Sequence, residues 1–220
     1  MAENQSLFHK DFMPKRVAMT VVGLLMTAVS VALFRKVAWG VDPFTCFVEA
    51  VENLSGQSYG IVFPCVQGVL LVVTFFLGRR YIGLGTLLGL FGTGVFVELF
   101  ARVLEMLCPQ PVLAVKILLF ALGFGILCVG ASLYITSDLG VSSYDAMSLI
   151  LADRKFAPFR VCRILTDCIC VATGLAFHAN IGVATVLTAF FMGPFISWLN
   201  DTLAVPLLYG KAGKPAAASR

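Results

Sequence analysis

Six apolar stretches, each about the length of a bilayer crossing, constrain this chain more than any other feature. They cover residues 17–34, 59–78, 82–103, 112–135, 159–177 and 181–199. A spanning helix needs roughly 20 mostly apolar residues, so each stretch reads as one span. Composition removes the alternative of six helices in a soluble core. Of 220 residues, 59% are hydrophobic and only 13% are charged, and mean hydropathy is +0.93. A soluble domain carries about 25% charged residues, a skin this chain cannot supply. Most soluble enzymes, disordered chains and nucleic-acid binders, which need a clustered basic face, are excluded. The expectation is a one-domain, all-α polytopic membrane protein whose first partner is the lipid bilayer.

The basic residues orient it. With the N-terminus in the cytoplasm, 12 Lys and Arg fall in cytoplasmic segments and 4 in outer ones, as the positive-inside rule requires. Both termini are expected in the cytoplasm. The tail 1–16 carries Lys10, Lys15 and Arg16 ahead of the first apolar run. No small-residue cleavage site follows that run, so it reads as an uncleaved first span. Residues 210–220 are Gly, Lys, Pro, Ala, Ser and Arg and are expected to form a disordered cytoplasmic tail.

The two halves of the chain, 17–107 and 112–203, repeat each other. Gly40-Val41-Asp42-Pro43-Phe44-Thr45 matches Gly140-Val141-Ser142-Ser143-Tyr144-Asp145 at an offset of 100. Ile82-Gly83 with Thr86 matches Ile181-Gly182 with Thr185 at an offset of 99. Gly23 matches Gly123, Gly94 matches Gly193, and Phe96 matches Phe195. Three spans per repeat is odd, so the second repeat enters the membrane from the other side. The expected architecture is six transmembrane helices as two inverted three-helix repeats, a plan shared with many secondary transporters.

The paired blocks, each followed by its Ile-Gly-x-x-Thr segment, resemble the YczE-like bacterial membrane proteins, often grouped with the YyaS and YitT types. The similarity covers about residues 16–200. In that group the block often reads Gly-x-x-Pro-Trp-Asp. Here Thr45 stands where the Asp of the first copy would fall, and the second copy keeps Asp145 with Ser143 in place of Pro. The group's last span often ends Gly-x-x-x-Asp, whereas Gly193 is followed by Ser197. The resemblance implies a bacterial inner membrane and six spans. It implies no substrate.

Within each block a helix start is legible. Asp42-Pro43 supplies a capping side chain and a proline at the first helical position. Ser142 with Asp145 has the spacing of a capping box. Short helices are therefore expected from about 43 and 143. Phe44, Phe47, Val48, Val51 and Leu54 form one apolar stripe, with Thr45, Glu49 and Glu52 elsewhere. Such helices either lie on opposite membrane surfaces or re-enter the membrane and aim their N-termini at a shared site. The sequence leaves both readings open.

Asp167 sits about mid-span in the fifth apolar stretch, where an acid is costly and faces a cavity or a partner. Its counterpart is Gln67. Arg163, one turn earlier, is the obvious neutralising partner. Glu98, Arg102 and Glu105 form a charged stripe at the outer end of the third stretch. Gly85, Gly89, Gly92 and Gly94, and Ala189, Gly193 and Ser197, have the spacing of close helix packing, and Pro194 can kink its helix. Seven cysteines contain no C-x-x-C pair, and His9 and His178 are the only histidines. No disulfide, metal site, cofactor or catalytic constellation is expected, and the chain does not read as an enzyme.

The functional expectation is a small transporter or channel for a small polar, zwitterionic or anionic solute. Its central site would comprise Asp42, Thr45, Ser142, Ser143 and Asp145 as polar contacts, Phe44 and Tyr144 as walls, and Gln67 and Asp167 nearby. The alternative is a non-transporting accessory or substrate-binding subunit that works with a partner protein. A homodimer or a partner membrane protein fits either reading.

Overall fold

A computed structural model describes residues 13–157 and 159–209. The expected cytoplasmic tail, up to residue 12, and the expected disordered tail at 210–220 lie outside the described residues. The order is α1 (Met13–Val37), α2 (Pro43–Ser55), α3 (Tyr59–Gly78), a 3-10 turn (Arg79–Tyr81), α4 (Leu84–Leu107), α5 (Leu113–Ser137), α6 (Ser143–Asp153), α7 (Phe159–Ala176), α8 (Val183–Leu199), a π turn (Asn200–Ala204) and α9 (Val205–Tyr209). No strand occurs among the described residues.

Five helical segments are long and apolar enough to cross a membrane: Met13–Val37, Tyr59–Tyr81, Leu84–Leu107, Leu113–Ser137 and Val183–Tyr209. At 1.5 Å per residue, the 25 residues of α1 span about 37 Å. The protein is a multi-pass, all-helical membrane protein. The fifth apolar stretch forms α7, which has 18 residues but carries Arg160, Arg163 and Asp167. Its charge, not its length, sets it apart from the five.

The longest interface is the crossing of α1 with α5, and it depends on missing side chains. A Cβ on Gly23 would lie 2.7 Å from the Gly130 carbonyl oxygen and 2.9 Å from the Tyr134 nitrogen. Seven residues further along α1, Ser30 Oγ donates to the Gly123 carbonyl at 2.7 Å. Adding 100 turns the Gly23–Gly130 contact into Gly123 against Ser30, so the crossing repeats itself with the halves exchanged. At the start of α1, the buried Arg16 guanidinium donates to Ser137 O at 3.1 Å and to the Tyr209 hydroxyl at 2.9 Å. That contact satisfies an orphan carbonyl of the α5 terminus and fastens α9 onto α1.

The same exchange holds where the loops enter. Gly40 and Gly140 have φ of 103° and 106°, which favour glycine. Each lies against the start of a long helix from the other half. A Cβ on Gly40 would lie 2.7 Å from Thr185 Oγ1, and one on Gly140 would lie 2.7 Å from Thr86 Oγ1. Gly85 N donates to Leu139 O at 2.7 Å, and Ala184 N donates to Trp39 O at 3.0 Å.

The short helices α2 and α6 lie inside the bundle. Ser142, before α6, is level with mid-helix Gln67 of α3, while Ile150 packs on Gly78 at the end of α3. Asp153 pairs with Arg80 just beyond. α2 runs the other way and ends beside the start of α3. Its Cys46 packs on Gly174 of α7, and its Asn53 donates to Phe177 O at 2.9 Å. The two helices therefore leave their central N-termini toward opposite ends of α3. The expected stripe on α2 is only half of what is seen. Phe44 and Val48 are buried, but so are Thr45 and Glu49, and Leu54 is exposed. The first two turns are covered on every side, unlike a helix resting on a surface.

Of the glycines expected to draw helices together, Gly94 does so against Phe63 and Pro64, whereas nothing lies within 4 Å of a Cβ on Gly193. Gly92 meets only Phe96 of its own helix. Backbone meets backbone across the α1–α5 crossing at Gly23 and Gly130 instead.

Candidate functional site

The nine residues singled out from the sequence gather around the two central N-termini. Asp42 is extended (φ −63°, ψ 156°) and caps α2. One of its oxygens accepts from Thr45 N at 3.1 Å, and the other from Thr45 Oγ1 at 2.6 Å. Pro43 follows at the first helical position, where its missing N–H costs nothing. Gly56 ends the helix in the left-handed region, with its N–H on Glu52 O at 2.8 Å.

The second block does something else with the same backbone. Ser142 precedes α6, but its side chain makes no capping bond. Its hydroxyl accepts from Gln67 Nε2 at 3.1 Å. Asp145 does not close the expected capping box; it pairs with Arg163. The reason is electrostatic. A guanidinium on α7 attracts a carboxylate more strongly than a neutral amide of its own first turn does. Ser143 is buried and its hydroxyl has no hydrogen-bond partner.

Arg163 is the hub. Beyond Asp145, its Nε lies 3.4 Å from Asp167, and its guanidinium carbon is 4.7 Å from the centre of the Tyr144 ring. Asp167 also accepts the Tyr144 hydroxyl. The expected i,i+4 neutralisation of Asp167 is present, but one arginine serves two acids. Phe44 and Tyr144 were expected as walls. They instead stack on each other, centroids 4.6 Å apart and planes 23° apart, which puts Phe44, Tyr144 and the guanidinium in one column. The two residues occupy matching positions in the paired sequence blocks. Two cavities among the described residues lie elsewhere, at the 107–115 segment and between the 80–84 and 138–141 segments. None of the nine residues lines either one.

The sequence reading missed a charged cluster at the end where α2 finishes. Arg35 Nε lies 3.1 Å from Glu49 and its Nη2 2.7 Å from Glu52, with the guanidinium 4.6 Å over the Tyr59 ring. Glu49 also accepts from Asn180 N at 3.0 Å. The signal available was Glu49 and Glu52 one turn apart on an otherwise apolar helix, which calls for a cation. Glu98 pairs with Arg102 as its spacing suggested, at 2.7 Å, and Glu105 pairs with Lys36.

A bundle of long apolar helices, with short helices and an ionised cluster folded into its interior, defines a polytopic membrane protein with a polar centre. Residues 14–201 match a family of unknown function, DUF6198, and the chain belongs to that family. It is similar to the uncharacterised protein YyaS of Bacillus subtilis, with 22% identity over 172 residues, 78% of this chain and 86% of that protein. It is also similar to the uncharacterised membrane protein YczE of the same organism, with 22% identity over 196 residues, 89% of this chain and 90% of that protein. The YczE-like resemblance seen in the paired blocks therefore extends over the chain. No solved structure matches.

Proposed function

We propose that the protein is a small-solute transporter or channel of a bacterial inner membrane. In this reading α7 is a sixth span, the halves are inverted repeats, α2 and α6 are re-entrant half-helices, and both termini are cytoplasmic. The exchanged contacts, Gly23–Gly130 with Ser30–Gly123 and Gly40–Thr185 with Gly140–Thr86, support the inverted plan. The observation that carries the function is the column of buried Phe44 and Tyr144 with half-buried Arg163 between two helix N-termini, with Asp42, Asp145 and Asp167 around it. Ionised groups at the centre of a membrane bundle are costly and mark a pathway or binding site. Three carboxylates face one guanidinium, so the charge balance favours a polar or zwitterionic solute with a positive group over a simple anion. The reading assigns no catalytic step.

Two measurements test it. Single cysteines at Gln57 and Lys155, in a cysteine-free background, label from opposite sides of the membrane; labelling of both from one side overturns the inverted plan. In proteoliposomes, Asp167→Asn abolishes solute uptake while the protein stays folded. Normal uptake with Asp167 and Arg163 both replaced by apolar residues overturns the site.

The second reading, an accessory or substrate-binding subunit acting with a partner, is favoured by one observation. Phe44 and Tyr144 stack on each other at the centre, and two cavities among the described residues lie away from them. Purified protein would then move no solute until its partner is supplied.

A further inference from the structure

The two halves place equivalent residues in equivalent positions, but one pairing changes its chemistry. In the second block, cap-position Ser142 and mid-helix Gln67 meet in a neutral hydrogen bond of 3.1 Å. Adding or subtracting 100 turns that pair into Asp42 and Asp167. An amide and a hydroxyl on one side of the axis are replaced by two acids on the other, and Asp42 lies within electrostatic reach of Asp167. An amide and a hydroxyl satisfy each other without help. Two carboxylates do not, and like charges sharing a low-dielectric site do not both stay ionised without a positive charge between them.

The protein supplies that charge only in part. Arg163 is committed to Asp145 and Asp167, and Tyr144 donates to Asp167. Among the described residues no ion pair reaches Asp42, whose oxygens accept only from Thr45. Other groups that bear on Asp42 are Arg163, Glu49 and Cys46. Cys170 and Tyr59 act on the same cluster. A second cation, Arg35, lies over the Tyr59 ring but is committed to Glu49 and Glu52, and the remaining groups are carboxylates, thiols and a phenol. The independent observation is Tyr59. It is 2% exposed, its hydroxyl makes no hydrogen bond within 3.5 Å, and the polar groups that act on it from α2 are Asp42 and Thr45. A buried hydroxyl left unpaired beside an unpaired carboxylate is a poor arrangement for the empty protein. It is a good one for a bound cation, since it adds a third oxygen beside those of Asp42 and Thr45.

We infer that Asp42, Thr45 and Tyr59, with Asp167 across the axis, form a binding site for one small monovalent positive charge, a proton or an alkali cation. The inference deepens the transporter reading and rests on it for meaning, because such a charge at the repeat axis is what would couple solute movement to an ion gradient. The site itself exists or fails independently of transport. Asp145 and Arg163 do not belong to it; they set its electrostatic background.

The test uses the purified full chain in lipid nanodiscs, melted in choline, potassium and sodium chloride at matched ionic strength from pH 5.5 to 8.5. An alkali site raises the melting temperature with one cation over the others, by roughly 5 °C at a hundred-fold excess over its dissociation constant. A proton site shows no cation preference, and its melting temperature falls as pH rises across the range. Either response supports the inference and identifies the ion. Asp42→Asn keeps a side chain able to cap α2, and Asp42→Ser installs the residue used in the other half. Both abolish the response while still melting cooperatively, and Tyr59→Phe weakens an alkali response at least several-fold. A wild-type melting temperature indifferent to cation and pH overturns the inference, as does a response that survives both Asp42 variants. Uptake assays separate the two claims. Solute uptake with no ion response leaves the transporter reading standing without this site. An Asp42-dependent ion response with no uptake leaves the site standing without the transporter reading.

Discussion

In the repeat proposed from the sequence, α3 with α4 corresponds to α7 with α8, yet only the first pair is closed. Gly94 of α4 sits on α3: a Cβ there would meet Phe63 at 3.1 Å and Pro64 at 3.2 Å. Gly193 of α8 holds the equivalent place and nothing lies within 4 Å of it. α4 packs tightly on both α1 and α3, whereas α8 packs on α5 and makes no comparable contact with α7 among the described residues. α8 carries Pro194 within it, as α3 carries Pro64, and unlike α3 it ends in a π turn, Asn200–Ala204. Both features loosen the backbone ladder. So the repeat preserves a small residue where helices can meet but does not oblige them to meet. The open pair also holds Arg163 and Asp167, and Arg163 is about a quarter exposed, while the neutral Gln67 of the closed pair is buried. At the mid-helix position the charge lies on α7, where Asp167 pairs with Arg163, and the neutral amide of Gln67 lies on α3. In the transporter reading, the tight half is the scaffold and the loose half is the moving part.

The strongest way to break that comparison is to remove the charge. Arg163→Met leaves Asp145 and Asp167 without their cation, and breaking such a pair from one side costs about 3–5 kcal/mol. Gln67→Met, at the neutral equivalent of Asp167, costs about 1 kcal/mol for its lost hydrogen bond. Thermal melting in nanodiscs reads both. Adding Asp145→Asn and Asp167→Asn to Arg163→Met recovers most of the loss. Equal costs for Arg163→Met and Gln67→Met would show that both halves treat the centre alike.

The next test fills the two equivalent glycines. Gly94→Leu forces side-chain atoms into Phe63 and Pro64, and overpacking of this kind costs about 1–3 kcal/mol. Gly193→Leu meets open space and changes the melting temperature little, within about 0.5 kcal/mol. If α8 closes on α7 during a transport cycle, Gly193→Leu nonetheless lowers uptake at least ten-fold by holding the gap open. A melting loss at Gly193 as large as that at Gly94 would mean the pair is closed in the membrane.

Much of this was legible in the chain, for reasons that differ by residue. The long helices follow from apolar length alone. The starts of α2 and α6 were readable because Asp42-Pro43 and Ser142-Ser143 are local signals, acting within one turn. Asp145 was misread because its partner is 18 positions away; a local capping rule cannot see a competing guanidinium. The Arg35 cluster was missed for the same reason, since α1 and α2 meet only after a loop. The contact of Gly23 with Gly130 was within reach. The repeat offset gave Gly23–Gly123 as equivalents, and in an exchanged crossing the contacting residues are displaced from their equivalents. The openness of α7 and α8 had no signal in the repeat, because Gly94 and Gly193 are the same residue in the same register.

The smallest effect separates the two caps, and it runs against the capping rule. Asp42 makes a cap and Ser142 does not, so propensity alone makes Asp42→Ala the worse change, at about 1 kcal/mol. The geometry reverses the order. Ser142→Ala removes the acceptor for Gln67 and strands a buried amide, a loss of about 1–3 kcal/mol. Asp42→Ala also loses its cap, but it relieves an acid that has no ion pair, so its net cost falls below about 1 kcal/mol. Paired melting curves at pH 7.5 decide the order. Adding Gln67→Leu to Ser142→Ala brings stability back to near the wild-type value, because replacing both partners of a buried hydrogen bond by apolar groups is nearly neutral, while adding Gln67→Leu to Asp42→Ala gives no such recovery. If Asp42→Ala proves the costlier change, the caps rather than the cross-helix pairs hold the two central N-termini in place, and the difference between the halves lies at the helix ends instead of across the axis.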